Sequence, residues 1–170
     1  SMPGMLDLLL YLASVWKDQR EKVIEVSEQI ISAIQEQTRQ GILHDPNDLI
    51  HTSARRLTAS YDKNHGGFSP APKFPSVPVL LFLLRYAAIH KDRSILDMIT
   101  TTLDHMAFGG MRDHLDGGFH RYATDTRWNI PHFEKMLYDQ ALHARIYTHA
   151  YQITGNGHLR RMAVSCLRYM

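Results

Sequence analysis

Asp62-Lys63-Asn64-His65-Gly66-Gly67-Phe68 and Asp113-His114-Leu115-Asp116-Gly117-Gly118-Phe119 share one pattern: Asp, three residues, Gly, Gly, Phe. The offset between the copies is 51 residues. Each copy follows a helical pattern and precedes another. A hairpin unit of this length, with Gly-rich loops recurring on one face, predicts an α/α toroid in which inner and outer helices alternate around a cavity. The spacing disfavours a tetratricopeptide-like adaptor, whose unit is about 34 residues. A purely structural reading of the words also exists, since Gly-Gly supplies positive φ to a turn and Phe plugs a core.

Working outward, helical periodicity dominates and strand alternation is nearly absent. Leu8, Leu9, Leu12, Val15, Trp16, Val23, Val26, Ile30, Ile31 and Ile34 recur at helical spacing over Met5 to Arg39, with a break expected near Asp18. Gly41, Asp45 and Pro46 punctuate a linker, which places a boundary near residue 44 and predicts two regions, 1–44 and 45–170. Further helices are expected over 47–61, 77–90 and 94–108, the last stopped by Gly109-Gly110. The longest spans Pro131 to Thr154, and Gly155-Asn156-Gly157 turns the chain into a final helix. The pattern starts and stops in mid-helix, which predicts a fragment whose parent chain packs against both ends.

Composition narrows the function classes. The chain has 170 residues, 44% hydrophobic and 21% charged, ordinary for a globular protein with a real core. A formal charge of +2 gives no electrostatic case for nucleic acid or an anionic membrane, and Arg55-Arg56 and Arg160-Arg161 read as solvated helix faces. No apolar run approaches the ~20 residues of a membrane span. With Cys166 as its one cysteine, the chain can build neither an internal disulfide nor a thiolate-rich zinc site, and a reducing setting, cytoplasmic or an organellar matrix, is expected.

The chemistry concentrates in Gly109 to Gln140, GGMRDHLDGGFHRYATDTRWNIPHFEKMLYDQ. A connection so long and so rich in aromatic and charged residues is read as a binding or catalytic loop. If Pro131 occupies a first helical turn, His132, Lys135, Asp139 and His143 form one polar stripe on an apolar helix, with terminal N–H groups open to an anion or hydroxyl. Alternatively, Lys135 and Asp139 are only an exposed ion pair. His114, His120 and His132 lack any diagnostic metal spacing, so no metal and no cofactor is expected. Proton transfer is the better use of histidines beside carboxylates.

These words in order, Gly67-Phe68, Ala71-Pro72-Lys73-Phe74-Pro75, Arg112-Asp113-His114, Gly118-Phe119-His120-Arg121-Tyr122, Trp128 and Pro131-His132-Phe133-Glu134-Lys135-Met136-Leu137-Tyr138-Asp139-Gln140, resemble the family of spermatogenesis-associated protein 20 and its bacterial relatives. The resemblance covers nearly the whole chain. It implies an all-α fold: helical hairpins of an incomplete (α/α)6 toroid of the six-hairpin glycosidase type, like the N-acylglucosamine 2-epimerases, over residues 45–170. Residues 1–44 would then be the last helix of a thioredoxin-like domain and a linker helix.

The expected function is that of a carbohydrate-active or carbohydrate-binding toroid, acting on a small-molecule substrate, a sugar, by glycoside hydrolysis or epimerisation. Asp113, His120, Asp125, His132 and Glu134 are the candidate acids and bases. Lys73, Arg112, His114, Arg121, Trp128, Lys135 and Asp139 are the candidate substrate-binding residues. The rival is a non-catalytic toroid serving as a binding or redox-partner scaffold, with the same residues forming a polar network. Solvent access separates the two, since catalysis needs these side chains to converge on an open pocket.

Overall fold

The computed structural model describes residues 3–39 and 46–170. The fold is all-α: the described residues form α1 (Met5–Asp18), α2 (Arg20–Arg39), α3 (Pro46–Ala59), α4 (Val77–His90), α5 (Arg93–Phe108), α6 (Leu137–Thr154) and α7 (Gly157–Tyr169), with no strand among them. The chain divides into two units, Ser1–Leu49 and Ile50–Met170.

In the first unit the helical periodicity breaks at Gln19, whose φ of −133° leaves the helix while its N–H still bonds the Val15 carbonyl at 2.9 Å. This lies one residue past the break expected near Asp18. No residue of α1 is buried, and Leu8, Leu9, Leu12 and Trp16 are exposed. Arg20 lies over the Trp16 ring, 4.9 Å from its centroid.

The second unit holds the core. Leu80, Leu83 and Leu84 of α4, Ile99, Leu103 and Met106 of α5, Ile146 and Tyr147 of α6 and Leu159, Met162 and Cys166 of α7 belong to one buried cluster, in which α4 packs on α5 and α6 on α7. Each large apolar side chain so enclosed contributes about 1.5–3 kcal/mol. The near-continuous apolar run of α4 is explained by its position, packed against both α5 and α6. Capping sets two starts: Asp92 accepts the Ile95 N–H at 3.1 Å, and Asn156 accepts the His158 N–H at 2.9 Å. Burial pushes the Cys166 thiol up to about 12, so this cysteine is a packing residue rather than a nucleophile.

The largest departure from expectation is at α6. The helix begins at Leu137, not Pro131, and residues 131–136 lie outside it, with a bend at Phe133. Their backbone is committed elsewhere: the His132 N–H donates to the Tyr122 carbonyl at 2.9 Å, and the Glu134 carbonyl accepts the Arg121 N–H at 2.8 Å. The expected stripe is therefore broken. Asp139 and His143 lie on the helix, while His132 and Lys135 precede it and take no part in its N-terminus.

The sequence repeat is a structural repeat. In the first copy Asp62 accepts the N–H groups of Asn64 and His65 at 2.9 and 3.1 Å on one carboxylate oxygen and the Lys73 ammonium at 2.7 Å on the other. In the second, Asp113 accepts Leu115 and Asp116 N–H at 2.8 and 3.2 Å and the Lys135 ammonium at 2.6 Å. The backbones also match, since Gly66 and Gly117 donate to the carbonyls of Asp62 and Asp113, whose own N–H groups return to Gly67 and Gly118. Gly67 and Gly118 take φ of 84° and 72°. A Cβ at Gly118 would stand 2.8 Å from the Gln140 side-chain oxygen, so both conformation and space require glycine there.

Candidate functional site

The loops between α3 and α4 and between α5 and α6 are tied into one body. Lys73 and Ala123 exchange both backbone hydrogen bonds, at 2.7 and 2.9 Å, and the His120 N–H reaches the Met111 carbonyl at 2.7 Å. Gln140, at the start of α6, clamps Phe119 from both sides, accepting its N–H at 2.8 Å and donating to its carbonyl at 2.6 Å.

This scaffold sorts the candidate residues into two groups. The first is committed to internal contacts, with Lys73 and Trp128 buried and Asp113, Asp125 and Lys135 partly exposed. Lys73 has no exposed surface, and its ammonium is shared between Asp62 and the Thr126 carbonyl at 3.0 Å. Trp128 is fully buried with its indole N–H on the His65 carbonyl at 2.9 Å, which leaves no ring face for a ligand. Asp113 and Lys135 are each other's partners, and Lys135 also donates to the Gly117 carbonyl at 3.0 Å. Lys135 and the Leu115 N–H hold the Asp113 carboxyl far below its ordinary value. Asp125 is occupied by the N–H groups of Arg127, Asn129 and Ile130, which outweigh burial and lower its pKa. In this structure these five side chains build the loops.

The second group is open. Phe74, Tyr122 and His132 form a ladder of stacked rings, with centroids 4.7 and 4.9 Å apart. Glu134 joins its edge, 3.1 Å from Arg121 Nη1 and 3.6 Å from His132 Nε2. The His132 side chain is 49% exposed and that of Glu134 38%. Beside them Phe74, Pro75, Arg121, Tyr138 and Asp139 line a cleft of about 240 Å³. One Asp139 carboxylate oxygen is buried without a hydrogen-bond partner. Burial raises the Asp139 pKa and the Glu134 charge adds to this, while Arg121 opposes them. His120 borders the group edge-on to Phe133 at 5.3 Å, with Nδ1 buried and unpartnered; burial and Lys135 lower its pKa, against Asp113. His114 binds the Gly109 carbonyl at 2.9 Å, and Arg112 lines a different groove, so neither joins this cleft. Among the described residues no group of three or more His, Cys, Asp and Glu side chains is placed to hold a metal ion.

Sequence reasoning passed over Phe74 and Tyr138 as cleft walls and Gln140 as a clamp. The Gln140 role was readable only from contact, because its partner lies 21 residues away in a loop. It also gave His143 no more than a place on a stripe. That imidazole is fully buried, stacked on Phe119 at 4.5 Å, and burial pushes its pKa down to about 4 against the Asp139 carbonyl, which favours the charged form. Since its ordinary value is 6.5, the unfolded chain binds a proton between pH 6.5 and 4 that the folded chain refuses. Stability present above pH 6.5 should therefore fall as pH drops through that window, by about 3 kcal/mol if the full shift is realised. Urea unfolding at pH 7.5, 5.5 and 4 measures the loss; a His143→Leu chain with an unchanged slope would refute the assignment.

Comparison with known proteins agrees with the words in the loops. Spermatogenesis-associated protein 20 of Rattus norvegicus is 38% identical over 176 residues, 98% of this chain, and the Homo sapiens protein of the same name is 38% identical over 178 residues. The chain is homologous to spermatogenesis-associated protein 20. An uncharacterized protein of Caenorhabditis elegans is 35% identical over 161 residues, 92% of the chain. The chain spans 22% of the length of each of these relatives. No family model matches it.

Proposed function

We propose that this chain supplies one wall of a sugar-binding site in a carbohydrate-active or carbohydrate-binding α/α toroid, with the site narrowed to Arg121, His132, Glu134, Tyr138 and Asp139. The observation that carries the reading is the Asp139 carboxyl, raised in pKa with one oxygen unpartnered, at a cleft it shares with Arg121 and Tyr138. A protonated Asp139 would act as an acid toward a sugar oxygen, and Glu134 or neutral His132 as the complementary base. The stacked faces of Phe74, Tyr122 and His132 offer an amphipathic rim, and Arg121 would orient hydroxyls.

A second reading rests on a specific observation. Lys73, Asp113, Asp125, Trp128 and Lys135 are committed to internal contacts, which favours a non-catalytic scaffold for that part of the loop. A thermal-shift screen of neutral sugars on the full chain separates the two. A sugar that stabilises the wild type but not Asp139→Asn or His132→Ala is the expected result, with a shift corresponding to about 2.7 kcal/mol at a hundredfold excess over Kd. No sugar response, with unchanged melting of both variants, would remove the carbohydrate reading.

A further inference from the structure

A second surface carries an unbalanced charge. Arg112, Arg160, Arg161 and Arg168 line one open groove of about 710 Å³, together with His114 and His158, and Asp116 is the one carboxylate among its lining residues. It shares no lining residue with the Asp139 cleft. Among the described residues none of the four guanidiniums has an ion-pair or hydrogen-bonding partner, and the Arg112 Nε is buried without an acceptor. Arg161 and Arg168 are seven positions apart on α7 and so share a face, and Arg112 is brought to them by the second Gly-Gly turn. Arg112, Arg161 and His158 line the same groove, and His158 also faces the Asp104 carboxylate at 3.9 Å.

Four arginines face one lining carboxylate, Asp116, while Asp104 lies 3.9 Å from His158, so positive charge remains in excess and is relieved by an anion. Arginine at all four positions favours a phosphate, whose oxygens match the guanidinium fork. The groove also has an apolar side. Phe108 stacks on His158 with centroids 4.6 Å apart and planes at 8°, and Met162 and Val164 lie along the groove. Its volume falls in the range of small-molecule sites, about 300–1,000 Å³. The net charge of only +2 on the whole chain gives no broad positive field of the kind a nucleic acid or an extended acidic protein requires.

We propose that this groove binds a small organic phosphate, with Arg112, Arg161 and Arg168 on the phosphate and Phe108 and His158 against the organic body. The inference is independent of the sugar site and would survive its failure. Calorimetric titration of the full chain with phenyl phosphate and with inorganic phosphate tests it. Phenyl phosphate is expected to bind more tightly than inorganic phosphate. Arg161→Gln should weaken it about tenfold, the loss of one charge-assisted contact. Arg161→Gln with Arg168→Gln should abolish binding, while Arg55→Gln, on an exposed arginine outside the groove, should leave it unchanged. Both groove arginines are exposed and unpaired, so the variants should keep the wild-type melting curve, which circular dichroism checks. Undiminished binding by the double variant overturns the proposal, as does failure of both phosphates to bind. Binding of an oligo-aspartate peptide where both phosphates fail also overturns it, and assigns the groove to a protein partner.

Discussion

Asp62→Ala is expected to lower the unfolding free energy by about 3–5 kcal/mol, the cost of leaving a buried cation without its partner. Lys73 has no exposed surface and relies on the Asp62 carboxylate at 2.7 Å and one carbonyl, so removing the acid strands an ammonium in the core. Replacing the cation in the same background, with Asp62→Ala and Lys73→Met together, should recover part of the loss, because no charge is then left unpaired. The wild-type pair also has a pH signature. Burial alone would raise the Asp62 pKa, but Lys73 and the N–H groups of Asn64 and His65 outweigh it and bring it from 3.8 to about 2. A lowered carboxylate pKa means stability that is present above pH 4 and lost as pH falls toward 2, about 2 kcal/mol in all. Chemical denaturation of the two variants decides the matter. A cost below about 1 kcal/mol for Asp62→Ala, in the range of an exposed ion pair, would show that the lysine reaches water.

Trp128→Ala should cost a similar amount, about 3–5 kcal/mol, by emptying the space at the centre of the joined loops. The ring is fully buried, its N–H is satisfied by the His65 carbonyl at 2.9 Å, and Lys73 lies 5.3 Å from its centroid. It also presses on Gly67, where a Cβ would fall 2.7 Å from the Trp128 Cζ2 atom. The residue holds a φ of 65°, a left-handed conformation that non-glycine residues adopt only when their surroundings insist. Trp128→Phe should recover part of the packing but not the hydrogen bond. A Trp128→Ala chain that melts like wild type yet loses a sugar response would mean that the indole serves the ligand and not the core.

The helices were legible in the sequence because their periodicities are strong. The segment Val77–His90 falls where its apolar run predicts, and Arg93–Phe108 begins one residue before the expected Ser94. The repeat was legible as a word, and its glycines as turns. What the sequence did not reveal was that both aspartates pair with lysines 11 and 22 residues further on, since no local pattern encodes such a partner. The helical reading of Pro131–Met136 failed for a related reason: Pro131 is a good first-turn residue, but backbone pairing with Arg121, Tyr122 and Ala123 outbids local propensity. Of the candidate site, composition identified the loop and could not divide it, because a carboxylate that binds a ligand and one that ties a turn look the same until burial and partners are known. Arg160 and Arg161 are solvated, as the sequence reads, but their groove with Arg112 was not legible because that residue lies 48 positions earlier.

The two lysine latches are short-range contacts in chain terms, spanning 11 and 22 residues. Closing loops of that size costs little chain entropy and takes well under a microsecond to a few microseconds, far less time than docking one hairpin on another. The Asp–Lys contact of each corner thus closes over a short stretch of chain. The bonds that join the two corners, from Lys73 to the Thr126 carbonyl and from Trp128 to the His65 carbonyl, span 53 and 63 residues, so a fault in either turn is felt in the other.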